Sequence, residues 1–135
     1  MGAVIYSVGS AQPKFVPDPD KIATGRSGVT LKIDVATGTT WTGTVGGSGS
    51  FDVSAIIASA QASIDASISY SRTTTTDMSG SWTVPSNQSW GWLALGAMGY
   101  TMDWYKYAQL DSCKYELEGS GVAQLPAHSP AFDHS

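Results

Sequence analysis

The chain has 135 residues, a formal net charge of -4 and a charged fraction of 13%, well below the ~25% of ordinary soluble domains. Serine (19), threonine (13) and glycine (15) supply the polarity instead, a composition typical of secreted β-proteins, virion proteins and pore-forming toxins. This length predicts one domain, and the scattered Lys and Arg residues exclude the basic patch that a nucleic-acid partner needs.

Targeting signals are not visible in the sequence. The first residues lack a basic stretch followed by an apolar core and a cleavage site, so no secretory signal is expected. The sequence does not decide where the protein is located: it could stay inside the cell, be exported by another route, or form part of a particle. No run of about 18 apolar residues predicts a transmembrane helix. The single cysteine, Cys113, excludes an intramolecular disulfide and is expected to be a small buried side chain.

Residues 1–27 predict an irregular N-terminal arm. Prolines fix φ and remove backbone donors at three positions, Pro13, Pro17 and Pro19. The acidic pair Asp18 and Asp20 suggests calcium, but an oxygen cage needs several more ligands at defined spacing. We therefore predict a solvated turn there and no metal site.

Two strands follow with a period of two residues. Val29, Leu31, Ile33 and Val35 alternate with polar residues, which predicts a half-buried strand. Residues 39–45 alternate threonines with Trp41 and Val45 in the same way. Residues 46–50 are a glycine- and serine-rich flexible connection without the lysine of a phosphate-binding loop.

Residues 53–76 permit two interpretations. As a strand, the segment would place apolar residues on one side, among them Ile56, Ile64, Ile68 and Tyr70. As a helix, Val53, Ile57, Ala60 and Ile64 follow i, i+3/i+4 spacing, with Asp52 as the N-cap. We predict a short helix over residues 53–62 and a strand over residues 64–76, where a run of four threonines favours β structure.

The C-terminal half predicts further strands. They cover residues 78–84, 90–95, 100–108, 113–118 and 122–125. Pro85 ends the first of them, and Gly119 and Gly121 bracket a bulge or turn. Residues 127–135 are expected to form a tail. The predicted fold is all-β, an antiparallel sheet or sandwich with long Ser/Thr-rich strands, room for one short helix, and a single domain over residues 28–126.

The residues that catalysis would need are sparse. The two histidines, His128 and His134, both fall in the predicted tail, where no fixed second group would orient them. Glu116 and Glu118 share one face of a strand and are expected to be solvated acids. We therefore predict no catalytic, cofactor-binding or metal site, and a protein that is not an enzyme.

An aromatic cluster is the stronger candidate for function. It supplies a predicted interaction surface comprising Trp90, Trp92, Tyr100, Trp104, Tyr105 and Tyr107. Trp and Tyr combine a large apolar body with a polar tip, which suits a sugar-stacking platform, an interfacial membrane belt or a protomer interface. A second candidate is a membrane or assembly segment whose apolar face carries Ile56, Ile64, Ile68 and Tyr70.

The C-terminal half resembles a known group of proteins. The run GWLALGAMGY at residues 91–100, WYKY at 104–107, Cys113, GSG at 119–121 and LP at 125–126 is similar to small actinobacterial β-proteins over residues 28–126. More loosely, the Ser/Thr-rich strands ending in SWTVP at residues 81–85 resemble the insertion region of aerolysin-type pore-forming proteins. That second resemblance implies that residues 46–70 rearrange into a membrane hairpin, with Ile and Ala outward.

Three functions follow as hypotheses. The first is a non-enzymatic, self-assembling β-protein, a homo-oligomer that could form an aerolysin-like pore, since its strands lack the edge lysines that prevent pairing. The second is a structural component of a virion or other particle, such as a phage tail or decoration protein, with other structural proteins as partners. The third is a carbohydrate-binding module that uses the tryptophans.

Overall fold

The computed structural model describes residues 3–110, 112 and 114–135. Within these residues the chain forms nine strands and one helix. The strands are β1 (Val4–Val8), β2 (Gln12–Arg26), β3 (Thr30–Val35), β4 (Thr40–Thr42), β5 (Thr44–Gly47), β6 (Ser71–Thr73), β7 (Met78–Thr83), β8 (Trp90–Gln109) and β9 (Tyr115–His134). The helix is α1 (Val53–Ser63). The prediction of an all-β fold with one short helix is confirmed.

Strand β8 is the centre of a five-stranded antiparallel sheet. On one side, β1 pairs with its C-terminal half and β2 with its N-terminal half. On the other side β9 pairs along nearly its whole length, and β5 pairs with β9. Two smaller antiparallel pairs, β3 with β7 and β4 with β6, complete the structure.

The predicted irregular arm over residues 1–27 is wrong, because most of that segment forms β1 and β2. Proline is compatible with a strand whose N–H side needs no partner, as on a sheet edge or at a bulge. Pro13 pairs with Tyr100 and Pro17 with Gly96, and the register then shifts before Ile22. The prolines therefore interrupt hydrogen bonding locally without ending the strand.

The predicted C-terminal tail is also wrong. Residues 127–134 continue β9, and Phe132 lies opposite Leu95 of β8. The strands predicted at 90–95 and 100–108 join into β8, and those at 113–118 and 122–125 belong to β9, which begins at Tyr115. The bulge or turn predicted between Gly119 and Gly121 is wrong, because these residues pair regularly with β8 and the register shift lies before them, at Glu118. Cys113 lies outside the described residues.

Two hydrophobic cores lie along β8. The first joins it to the β3–β7 pair and contains Leu31, Ile33, Val35, Trp41, Val84, Leu93, Leu95 and Ala97. The second joins its C-terminal half to α1 and contains Ile56, Ala60, Ile68, Met102, Trp104, Ala123, Leu125 and Ala127. The core residues of β8 change from odd numbers (Leu93, Leu95 and Ala97) to even numbers (Met102 and Trp104), and between them the register with β9 shifts between Ala97 and Gly99.

The helix prediction over residues 53–62 is confirmed by α1. Asp52 has an extended backbone and accepts a hydrogen bond from the Ser54 N–H at 3.0 Å, the geometry of an N-cap. The strand predicted over residues 64–76 is mostly wrong. Turns follow the helix, and the strand is limited to Ser71–Thr73.

Both edges of the large sheet are partly covered. Helix α1 lies beside β1, where the Ser59 hydroxyl donates to the Tyr6 carbonyl at 3.1 Å and the Asp52 N–H donates to the Tyr6 hydroxyl at 2.9 Å. At the other edge the Trp104 indole N–H donates to the Gly46 carbonyl of β5 at 3.0 Å. Such contacts discourage edge-to-edge pairing with another chain.

Candidate functional site

The predicted aromatic interaction surface is divided among different environments. Trp104 is fully buried in the second core, so its assignment to a surface is wrong. Trp90 is 56% exposed and Trp92 is half-buried near the start of β8. Tyr105 and Tyr107 are half-buried near its end, and Tyr100 packs against the second core. The six residues therefore do not form one surface.

Trp90 and Trp92 line a shallow apolar groove, which we call the tryptophan groove. Thr24 pairs with Trp92 and Ile22 with Ala94, and directly paired residues of adjacent strands point to the same face. The groove has a volume of about 260 Å³ and is lined by Pro17, Ile22, Thr24, Trp90, Trp92 and Ala94. Ligand pockets are usually ~300 Å³ or larger, so this groove suits one apolar side chain or the edge of a ring.

Tyr105 and Tyr107 belong to a second surface, on the side of β8 that points away from Trp104. Their ring centroids are 6.5 Å apart. The pairing places Ile5 and Leu117 on either side of Tyr107, and Ser7 and Ser120 on either side of Tyr105. We call this surface the tyrosine face, and it comprises Ile5, Ser7, Asp103, Tyr105, Tyr107, Leu117, Ser120 and Val122.

Five of the eight residues of the tyrosine face are aliphatic or aromatic, and no other described residue packs over them. Ile5, Leu117 and Val122 are 44%, 52% and 47% exposed. Asp103 lies opposite Val122 at one end of the face. Asp103 is the charged residue among the eight that form the tyrosine face. Three strands therefore present aliphatic and tyrosine side chains side by side without a helix or loop of the described chain packed over them.

The predicted membrane or assembly segment is mainly part of the protein core. Ile56 and Ile68 are fully buried in the second core, and Ile64 packs against it. A membrane or assembly role for these isoleucines would therefore require the second core to open. Tyr70 is 39% exposed and is the member of the set that remains at the surface.

Tyr100 takes part in a hydrogen-bonded cluster after the helix. The Ser67 hydroxyl and backbone N–H donate to Asp65 Oδ1 at 2.7 and 2.9 Å, and the Tyr100 hydroxyl donates to Asp65 Oδ2 at 3.3 Å. Hydrogen bonds to the charged form favour it. The two Ser67 donors, followed by Tyr100, hold the pKa of Asp65 below its ordinary value of 3.8.

This cluster predicts an acid-sensitive turn. A carboxylate whose pKa is lower in the folded state than in the unfolded state stabilises the protein at pH values above the unfolded-state pKa. This stabilisation is lost as the pH falls through the folded-state pKa. We expect Ser67→Ala to raise the Asp65 pKa toward 3.8, measured by NMR titration of the side-chain carboxyl carbon. Ser54→Ala is the control, since Ser54 does not contact Asp65. An Asp65 titration that is identical in the wild type and in Ser67→Ala would contradict the assignment.

The two histidines lie in separate places. His134 stacks on Trp82 with ring centroids 4.2 Å apart, whereas His128 lies beside Tyr100. Among the described residues, no group of three or more His, Cys, Asp or Glu side chains could hold a metal ion. In the part of the chain that the structure describes, no helix is long and apolar enough to cross a membrane.

Several residues of the tyrosine face and the tryptophan groove cannot be assigned to these surfaces from local sequence patterns. Ile5, Leu117 and Val122 join the tyrosines only through pairing between distant parts of the chain, and Pro17 and Ile22 join the tryptophans in the same way. The alternation of Leu117 with Glu116 and Glu118 was a usable signal for one of them. The remaining four required the strand order.

Comparison with known proteins provides no relative from which a function could be transferred. No protein-family model matches the chain, and no curated protein or solved structure matches it. The two resemblances drawn from the sequence therefore stay predictions.

Proposed function

We propose that this chain is a non-catalytic structural β-protein that assembles with further copies of itself through the tyrosine face. The observation that supports this proposal is the exposed apolar row Ile5–Tyr107–Leu117, which runs across three paired strands. Large contiguous apolar patches are uncommon on monomeric soluble proteins and mark interaction surfaces. Tyrosine is also enriched at such interfaces.

The face of the sheet is better suited to assembly than its edges. The edge strands β1 and β5 carry no charged residue, but α1 and the Trp104 indole already contact them. The tyrosine face has no comparable cover among the described residues. Two such faces could pack as sheets pack in a sandwich, about 10 Å apart.

A second copy of the chain is the partner that fits this face best. The face offers little charge, with Asp103 at one end, so it cannot select a strongly charged partner by complementarity. Two copies related by a two-fold axis bring identical patches together, and this requires only that the patch complement itself. A structural partner in a particle would need a similarly neutral surface.

Membrane insertion is less well supported than assembly. Rearrangement of residues 46–70 into a hairpin would withdraw Ile56 and Ile68 from the second core. Burial of each such side chain contributes about 1.5–3 kcal/mol, and this contribution would be lost before any contact with lipid forms. Dye release from liposomes would test insertion directly.

The proposal predicts that a charge on the tyrosine face weakens assembly. We expect Ile5→Lys to raise the dissociation constant of the oligomer at least about tenfold, because the ammonium group would be buried between copies. Sedimentation velocity across a concentration series measures this change. Circular dichroism should show that the variant keeps the wild-type fold, since Ile5 is 44% exposed.

The neighbouring residue provides a matched control. Val4 is 49% exposed, but it points to the opposite side of β1. Val4→Lys should therefore leave assembly unchanged. A wild-type protein that stays monomeric at about 50 μM, well above the micromolar affinities expected of an assembling protein, would exclude the proposed function. Equal effects of the two lysine variants would place the interface elsewhere.

A further inference from the structure

The two hydrophobic cores cover opposite faces of the large sheet. Strand β8 pairs regularly with β9 from Leu93 to Ala97 and with β2 from Gly96 to Thr101, so its side chains alternate between the two faces throughout this stretch. Leu93 belongs to the first core and Met102 to the second. An odd and an even position of one regularly alternating strand point to opposite faces, so the β3–β7 pair and α1 pack on opposite sides of β8.

Each face of the sheet is consequently uncovered at one end. The tyrosine face extends from the odd-numbered positions of β8 that lie beyond the first core. The tryptophan groove extends from the even-numbered positions Trp90, Trp92 and Ala94, on the side away from that core. Trp90 is 56% exposed and Ile22, which pairs with Ala94, is 44% exposed. A copy docked on the tyrosine face therefore leaves the tryptophan groove open to solvent.

Two opposite charges stand at diagonal corners of the tryptophan groove. Arg26 pairs with Trp90 on one side of β8, and Asp133 pairs with Ala94 on the other. Directly paired residues point to the same face, and the spacings along and across the strands separate these two by about 16 Å. Both are exposed, and neither belongs to an ion pair found among the described residues. We call the groove together with these two charges the tryptophan face.

The other charged residues of β2 nearby do not line this groove. They lie in the bulge between Pro17 and Ile22, where the register with β8 shifts. Asp18 is 3% exposed, so the solvated turn predicted for this residue is wrong. One oxygen of its carboxylate accepts the Asp20 N–H at 2.9 Å, and both residues line a small cavity beside β4 instead. The charges at the rim of the groove are therefore those of Arg26 and Asp133.

A surface with an apolar centre and one charge of each sign at opposite corners is complementary to itself. A two-fold axis that lies in the interface and passes through Trp92 exchanges the two corners, so Arg26 of each copy meets Asp133 of the other. We infer that the tryptophan face is a second self-association surface, whose partner is another copy of this chain. The two ion pairs at its rim set the relative orientation of the copies, and the exposed ring edge of Trp90 enters the groove of the other copy.

The position of this surface decides how assembly continues, a consequence that rests on the proposed function. A single two-fold contact stops at a dimer. The tyrosine face and the tryptophan face point in opposite directions, so one copy can hold a neighbour on each. Copies joined by alternating contacts form an open chain, and we expect the wild-type protein to give species beyond the dimer as its concentration rises.

The test isolates this contact in the Ile5→Lys variant, in which the tyrosine face is blocked. Sedimentation velocity up to about 500 μM, the range needed for a contact of micromolar affinity, should show a monomer–dimer equilibrium. Adding Arg26→Asp places like charges opposite each other and should raise the dissociation constant at least about tenfold. Asp133→Arg should do the same, whereas the two changes together should restore the original value.

Lys14→Asp is the matched control, because it makes the same change of charge on β2 but, paired with Gly99, points to the other face. It should leave the dimer unchanged, and circular dichroism should show the wild-type fold for every variant. The inference is wrong if Ile5→Lys stays monomeric while the wild type assembles, if the charge exchange fails to restore the dimer, or if Trp90→Ala leaves it intact. If Ile5→Lys instead assembles like the wild type and Trp90→Ala abolishes assembly, the tryptophan face is confirmed and the proposed role of the tyrosine face is wrong.

Discussion

Truncation of Trp104 to alanine is expected to lower the free energy of unfolding by about 3–5 kcal/mol, as for other large aromatic residues removed from a core. Trp104 projects from β8 and is fully buried. Its ring packs against Phe51, in the segment before α1, at a centroid distance of 4.8 Å and against Tyr6 at 6.4 Å. Its indole N–H also bonds Gly46 of β5. Truncation therefore removes packing and an edge contact together.

Urea denaturation followed by circular dichroism measures this loss. Trp104→Phe keeps an aromatic ring in the core but removes the hydrogen bond to the Gly46 carbonyl. Because Gly46 is exposed and water can replace the lost donor, this hydrogen bond contributes about 0.5–1.5 kcal/mol. Tyr107→Ala is the control on the same strand, since Tyr107 lies on the tyrosine face and is only half-buried. Equal losses for Trp104→Ala and Tyr107→Ala would contradict the assignment of Trp104 to the core.

Replacement of Ile68 by aspartate is expected to prevent folding. Ile68 is 1% exposed and contributes to the second core, where an unpaired carboxylate costs several kcal/mol in addition to the lost apolar burial. A domain of this size has a total stability of only about 5–15 kcal/mol. We expect an unfolded chain by circular dichroism, or a chain recovered only from inclusion bodies.

Neighbouring positions calibrate this result. Ile64 packs at the margin of the same core, so Ile64→Asp should destabilise the protein without abolishing its fold. Tyr70 is 39% exposed, and Tyr70→Asp should change stability by no more than about 0.5 kcal/mol. A soluble, natively folded Ile68→Asp protein would show that residues 64–70 do not pack as described.

Local sequence patterns predicted the elements whose signals are local. The alternation of Leu31, Ile33 and Val35 gave β3, and Asp52 before an i, i+3/i+4 pattern gave α1. The strand predicted over residues 64–76 was mostly wrong, because the β propensity of the threonines contributes less than packing and pairing with other parts of the chain. Only Ser71–Thr73 found a partner strand, β4.

The pairing of distant segments could not be predicted in the same way. Prolines made residues 1–27 look irregular, yet β1 and β2 occupy most of that stretch and both pair with β8. The same limitation affects the candidate sites. Alternation separates Trp104 from Tyr105 and Tyr107, but only the position of α1 decides which face becomes core. The tryptophan face likewise depends on the pairing of β2 and β9 with β8, which no local pattern encodes.

The strand order has a consequence for synthesis of the chain. Val4 pairs with Ala108, more than a hundred residues later in the chain. Strand β5 likewise pairs with β9, which is synthesised last. Translation delivers the N-terminal strands first, so they emerge from the ribosome before their partners exist. The large sheet is complete only after β9 has been synthesised, and topologies of this kind fold slowly. Until β8 has been synthesised, β1 and β2 have no partner strand and are exposed to premature aggregation.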